Sequence, residues 1–321
     1  MDVFKTTILN MNNQIKKINL NHSFIFFLFC NIFSFIVFKF SNFNISSLIC
    51  LILILIIGVS HGSLDHEKGR KLFKIFNINS ISIFYISYIS ISILIITIWI
   101  FMPSISLIVF LFVASYHFGK EDTQFLINKV SSFNQLLFFF KGLLIILAPI
   151  FFNFDDTVSI FKLILVDNEN FYLTLDFIES NKILPILIIL STLSSIYLFL
   201  KEFNLKKFSI FLDYFSILIL NHFLSPLVAF TIYFCFLHSV RHSMSLIYEI
   251  DSQDFTNGIK IFIKKAIPLT ILTGIFCLIG LYLLNNNYDL NSSILKIIFI
   301  GLASLTFPHI LLEYFLEKYE K

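Results

Sequence analysis

Long apolar runs, separated by short polar punctuation, set the pattern of this chain from end to end. Runs near 20 residues recur, and each is long enough to cross a bilayer as a helix. Their spacing predicts ten helices, at 23–39, 46–66, 80–101, 104–118, 133–152, 183–200, 208–223, 226–247, 266–284 and 293–316. Two connections are tight: Met102-Pro103-Ser104 and Leu224-Ser225-Pro226, where proline stops one helix and starts the next. The longest connection, 153–182, is acidic (Asp155, Asp156, Asp167, Glu169, Asp176, Glu179) and is expected to hold a short surface helix. No soluble domain, repeat or linker interrupts the pattern. The expected fold is all-α, a polytopic membrane helix bundle.

Composition agrees: the chain is 57% hydrophobic and 13% charged, about half the charge fraction of a soluble domain. The 43 Phe, with abundant Ile, Asn and Lys, follow the bias of an AT-rich genome, so aromatic content alone carries no weight. A net charge of +3 points to no nucleic-acid partner. Basic residues collect on the cytoplasmic side of membrane proteins. With the N-terminus inside, ten helices put seventeen Lys and Arg in cytoplasmic segments (Lys68, Arg70 and Lys71 among them) and two, Lys162 and Lys182, outside. Both termini are therefore expected in the cytoplasm. Residues 1–22 are polar and no small-residue cleavage site follows the first apolar run, so that run reads as an uncleaved span. Cys30, Cys50, Cys235 and Cys277 lack CxxC spacing and read as small buried hydrophobes.

Candidate chemistry lies in the histidines. "GVSHGSLDHEKGR" puts His61 near the end of the second helix, and "SYHFGKED" puts His117 at the end of the fourth. "FLHSVRHS" gives His238 and His242 in the eighth, four residues apart and so on one helical face, and "TFPHILLEY" gives His309 in the tenth. All four helices run outside to inside on this topology, and each histidine falls in the cytoplasmic half. Ionisable groups at membrane depth are costly and mark functional sites. Imidazole suits iron, zinc, copper or nickel, and a bundle can assemble a metal site from facing helices. His66 lies about 140° round the helix from His61, among charges at the membrane edge, and His22 and His222 read as interfacial.

Carboxylates follow at helical spacing: Asp65 after His61, Glu121 and Asp122 after His117, and Glu313 after His309. A metal-bound imidazole gives its other N–H to an acceptor, and these residues are placed to serve directly or across helices. For Glu121 a charged helix end beside a basic loop is at least as good a reading. Arg241 is expected either to pair with one of these carboxylates or to snorkel to the cytoplasm.

"GVSHGSLDH", "SYHFGKED", "YFCFLHSVRHS" and "FIGLASLTFPHILLEY" resemble, in order, the successive motifs of the Brp/Blh family of membrane β-carotene dioxygenases, found beside microbial rhodopsins. The resemblance covers about residues 46–316; residues 1–22 and the helix within 23–45 are an extension beyond shorter members. It implies cleavage of the central 15,15′ double bond of β-carotene by O2 at a non-haem Fe2+, giving two molecules of retinal for a rhodopsin, in the inner cell membrane. It maps the iron ligands onto His61, His117, His238 and His242 and leaves His309 outside them, in a pocket or supporting role. Val59-Ser60 stands where many members have Leu-Pro before the histidine, a departure expected to relax the local bend and leave the ligand in place.

Four neutral imidazoles leave the 2+ charge uncompensated and coordination positions open for O2. A polyene offers no group to an acid or base, so holding it is a positioning task for an apolar tunnel. Tyr116, Tyr233, Phe234 and Phe236 adjoin the ligands and are candidates to line it. Three rivals fit less well. A desaturase needs several histidine clusters, and a bis-histidine b-type cytochrome leaves histidines unexplained. A transporter needs polar or broken midplane segments, which are sparse.

Overall fold

The computed structural model describes residues 2–40, 45–78, 80–123, 131–200 and 208–319, without the side chains of 2–16, 61, 199 and 210. The His61 side chain and those of the expected cytoplasmic lysines Lys5, Lys16, Lys129, Lys201, Lys206, Lys207 and Lys321 therefore lie outside what is described. The described residues form helices and no strands. They are α1 (Asp2–Lys39), α2 (Ser47–Leu53), α3 (Asp65–Ile75), α4 (Ile81–Phe101), α5 (Pro103–Glu121), α6 (Ser132–Phe152), α7 (Phe154–Leu163), α8 (Glu169–Ser180), α9 (Ile183–Leu200), α10 (Ser209–Phe223), α11 (Pro226–Ile232), α12 (Val240–Ile250), α13 (Phe255–Leu284) and α14 (Leu290–Tyr319).

All ten apolar segments are helical, with instructive differences at their ends. The first helix, expected from 23, begins at Asp2, because residues 1–45 contain no Gly or Pro to stop it. The acidic connection holds two helices, α7 and α8, rather than one. Among the described residues, six helices are long and apolar enough to cross a membrane, or eight if two bent pairs each count as one span. Of the ten expected crossings, the 208–223 segment is a shorter apolar helix. α13 buries none of its apolar window inside the protein and α4 only 6%, so both present faces suited to lipid. Long apolar helices with lipid-ready faces make this a membrane protein.

Among the described residues, the segments 54–64 and 233–239 depart from α geometry, and they touch each other. Ile54–Gly58 and Tyr233–Ser239 are π-helical turns, and Val59–Leu64 is a 3-10 turn. Such π turns insert an extra residue into a helix and often mark functional sites. The first of them and the 3-10 turn break the predicted 46–66 helix, so that the chain bends by 43° before running on through α3. The bend exists without a Leu-Pro pair; Ser60 Oγ donates to Ile57 O at 2.8 Å and offsets part of the distorted ladder. Gly58 lies under the Phe234 ring, and Ser239 Oγ donates to Gly58 O at 3.3 Å.

Helices α5 and α6 cross at Gly119 and Gly142. A Cβ on Gly119 would collide with Phe138 O, and one on Gly142 with Ser115 O. Small residues allow such backbone contact in membrane bundles. The crossing fixes α5, and with it His117, against the body of the protein. Gly119→Ala or Gly142→Ala should therefore force the helices apart. Overpacking costs about 1–3 kcal/mol or more, read as a lower unfolding temperature of the detergent-solubilised protein. Gly274→Ala, whose Cβ would meet nothing within 4 Å, should not lower that temperature.

Candidate metal centre

Four histidine rings meet where the π turn of 233–239, α5, α12 and α14 converge. His117, His238 and His309 are buried and His242 is nearly so. Ring centroids lie 5.2 Å apart for His117 and His238, 5.5 Å for His117 and His309, and 5.8 Å for His242 and His309. Four histidines from segments far apart in the sequence thus share one place. The backbone of His61 sits in the 3-10 turn at 59–64, which contacts the π turn bearing His238.

Three of these imidazoles are braced by a carboxylate from another helix. Asp122, closing α5, takes His238 Nδ1 at 3.4 Å, and its other oxygen accepts from the Tyr233 hydroxyl at 2.7 Å. Glu121 meets His242 Nδ1 at 3.2 Å. Asp65, heading α3, meets His309 Nδ1 with both oxygens at 2.9 Å and accepts from Tyr88 of α4 at 2.9 Å. Glu313 lies among the rings, 3.5 Å from His309 Nε2, 3.8 Å from His242 Nε2 and 3.9 Å from His117 Nδ1. Lys68 Nζ holds it at 2.7 Å.

These three pairings all run across helices, although each acid stands out in the sequence by its spacing along its own. Glu121, balanced in the sequence between a charged helix end and a partner, is one of the three braces. Arg241 does not reach out to the cytoplasm. It is buried, with Nη1 and Nη2 on the two oxygens of Asp213 at 3.0 and 3.2 Å, Nη1 on Asp122 O at 3.0 Å, and Nη2 on Ser23 Oγ of α1 at 2.8 Å. Sequence reasoning does not single out Asp213, Lys68 or Tyr88 for this site. Asp213 carries a usable signal, being an ionisable group inside an apolar run; Lys68 and Tyr88 carry none.

Of the four candidate tunnel residues, Phe234 stacks on His238 at 5.8 Å, beside Phe118, whose ring meets His238 edge-on at 4.7 Å. The Tyr233 hydroxyl is committed to Asp122. Phe236 packs on Phe29 of α1 at 5.8 Å, and Tyr116 is partly exposed. A cavity of about 260 Å³ opens from His238 and His242 toward exposed Glu249 and Glu317. Its walls include Lys68, Glu121, Asp122 and Arg241. Most of its lining side chains are charged or polar, because the bracing carboxylates and their cations face it. His66 Nδ1 lies 3.0 Å from Ser63 O and His222 is exposed against Phe152, both apart from the cluster. All four cysteines are free thiols, three of them buried.

The donor set fits a borderline divalent metal. A carboxylate on Nδ1 holds the proton there and leaves the Nε2 lone pair as the ligating atom, the arrangement that raises ligand basicity in metal sites. Donor atoms of His117, His309 and Glu313 also lie within 4.8 Å of one another.

The family described as Beta-carotene 15,15'-dioxygenase matches residues 52–317. The chain is similar to the beta-carotene 15,15'-dioxygenase of uncultured marine bacterium 66A03, 27% identical over 282 residues, covering 84% of this chain and 93% of that one. No solved structure matches. With the match spanning every histidine of the cluster, the chain belongs to the beta-carotene 15,15'-dioxygenase family.

Proposed function

We propose that this protein is a non-haem iron dioxygenase that cleaves β-carotene at its central 15,15′ double bond. The observation that carries the reading is the convergence of braced imidazoles inside a family match that runs from 52 to 317. One O2 and one C=C bond are consumed, one oxygen atom goes to each carbon of the cleaved bond, and two molecules of all-trans-retinal result. Fe2+, held by His61, His117, His238 and His242, would supply the activation of O2.

The chain's own residues supply position and exclusion. Asp122 and Glu121 fix the tautomers and orientations of His238 and His242. Tyr233 and Arg241 in turn hold Asp122. Phe118 and Phe234 pack directly on the His238 ring, an apolar wall against which a hydrocarbon polyene can lie and from which water is excluded. The substrate has no polar handle, so orientation depends on shape, and small displacements of the wall cost rate. Residues 46–316 form the catalytic body; 1–22 and the helix within 23–45 are an extension whose Ser23 reaches Arg241. The protein sits in the inner cell membrane with both termini cytoplasmic and passes retinal to a microbial rhodopsin.

Expression in β-carotene-producing bacteria, with retinal assayed by chromatography, tests the reaction; carotene that persists with no retinal refutes it. Replacing His61, His117, His238 or His242 by Ala should abolish retinal formation and bound iron together, whereas His66→Ala and His222→Ala should keep most of both. Asp122→Asn should weaken iron binding or activity about 10–100-fold, measured by iron content against supplied Fe2+. Reporters fused within 67–79 should report the cytoplasm and within 153–182 the opposite face; a cytoplasmic 153–182 overturns the ten-crossing topology.

A further inference from the structure

The family resemblance leaves His309 out of the ligand set, and the geometry of the cluster opposes that exclusion. We infer that His309 is itself a metal ligand, acting with His61, His117, His238 and His242. The inference rests on the metal-centre reading above and adds a donor to it.

Three observations carry it. First, the ring spacing is that of co-ligands. With a metal–nitrogen bond of about 2.1 Å, imidazoles sharing one ion at angles of roughly 90–140° have centroids about 4.5–6 Å apart. The His309 ring stands 5.5 Å from His117 and 5.8 Å from His242, as well placed as His238, which stands 5.2 Å from His117. Second, His309 is braced like the two histidines of the HxxxH pair. Its Nδ1 meets a carboxylate from another helix, and at 2.9 Å to both oxygens of Asp65 this is the shortest of the three braces. A histidine serving only to support a ligand would present its ring nitrogen to that ligand's N–H; His309 instead spends Nδ1 on its own carboxylate, as ligands do. Third, its donor atom falls with one of His117 and one of Glu313 inside a sphere of ligand-sized separations, all within 4.8 Å of one another.

The assignment also accounts for the Tyr88 hydroxyl, which lies 2.9 Å from Asp65 Oδ2 and 3.3 Å from Leu305 O. It ties the brace to α14, the helix that carries the ring.

Cobalt(II) substitution of the purified full chain in detergent decides the matter independently of turnover. His309→Cys should bind one equivalent of cobalt and show a near-ultraviolet thiolate-to-cobalt charge-transfer band absent from the wild type and from His66→Cys. Stoichiometric cobalt in His309→Cys with a wild-type spectrum would show that residue 309 does not ligate. Should the thiol variant not accumulate, His309→Gln serves. Its iron affinity should fall by more than about 100-fold with altered cobalt d–d bands, whereas Asp65→Asn should stay within the roughly 10–100-fold expected of an outer partner. A smaller fall with unchanged bands removes His309 from the ligands while leaving the metal centre standing. A wild type that takes up neither iron nor cobalt defeats both proposals at once.

Discussion

Carboxylate paired with imidazole across helices is the contact around which this bundle is organised. A carboxylate placed in an apolar bundle is heavily penalised unless a partner meets it with good geometry. Here Asp65, Asp122 and Glu121 each meet a histidine Nδ1 from a different segment. The penalty for losing one contact thus becomes a constraint on register. α3 cannot slide along α14, nor α5 along α12, without leaving a buried charge unsatisfied. Tight side-chain geometry in the centre and defined helix positions are the same fact.

Behind this layer lies a second network with the same logic. Arg241 sits three residues after His238 and one before His242, and its guanidinium takes both oxygens of Asp213 while reaching Asp122 O and Ser23. Breaking one partner out of such a buried pair costs roughly 3–5 kcal/mol. The network holds α1 and α10 to the helix that carries the HxxxH pair. α1 is in this way joined to the segment that carries His238 and His242. The Gly119–Gly142 crossing does the equivalent job for His117 by backbone contact alone.

The two π turns explain how polar groups from so many segments reach one point. A regular helix repeats its faces every 3.6 residues, and an inserted residue re-aims the side chains beyond it. In the π turn of 233–239 this presents Tyr233 to Asp122, Phe234 to the His238 ring and His238 to His117. At 54–58 it admits the bend that turns the chain toward Asp65 and brings Gly58 beneath Phe234. None of this is visible as an apolar pattern, because a π turn uses the same apolar residues as the α-helix around it.

Local composition and spacing were enough to establish part of this architecture. Apolar runs specify helices, and Pro103 and Pro226 mark helix starts. The candidacy of His117, His238, His242 and His309 as a set follows from counting along those runs, and so does the expectation that Asp65, Asp122 and Glu313 serve them. Partnership is another matter. Asp65 stands out for its distance from His61 and is found on His309; Glu121, four residues after His117, is found on His242. Arg241 takes Asp213, 28 residues back and on another helix. These choices depend on how helices rotate and cross, which is fixed by long-range contacts such as Gly119 against Gly142. Spacing along one helix places a side chain on a face, but what that face meets is set by the packing of the whole bundle.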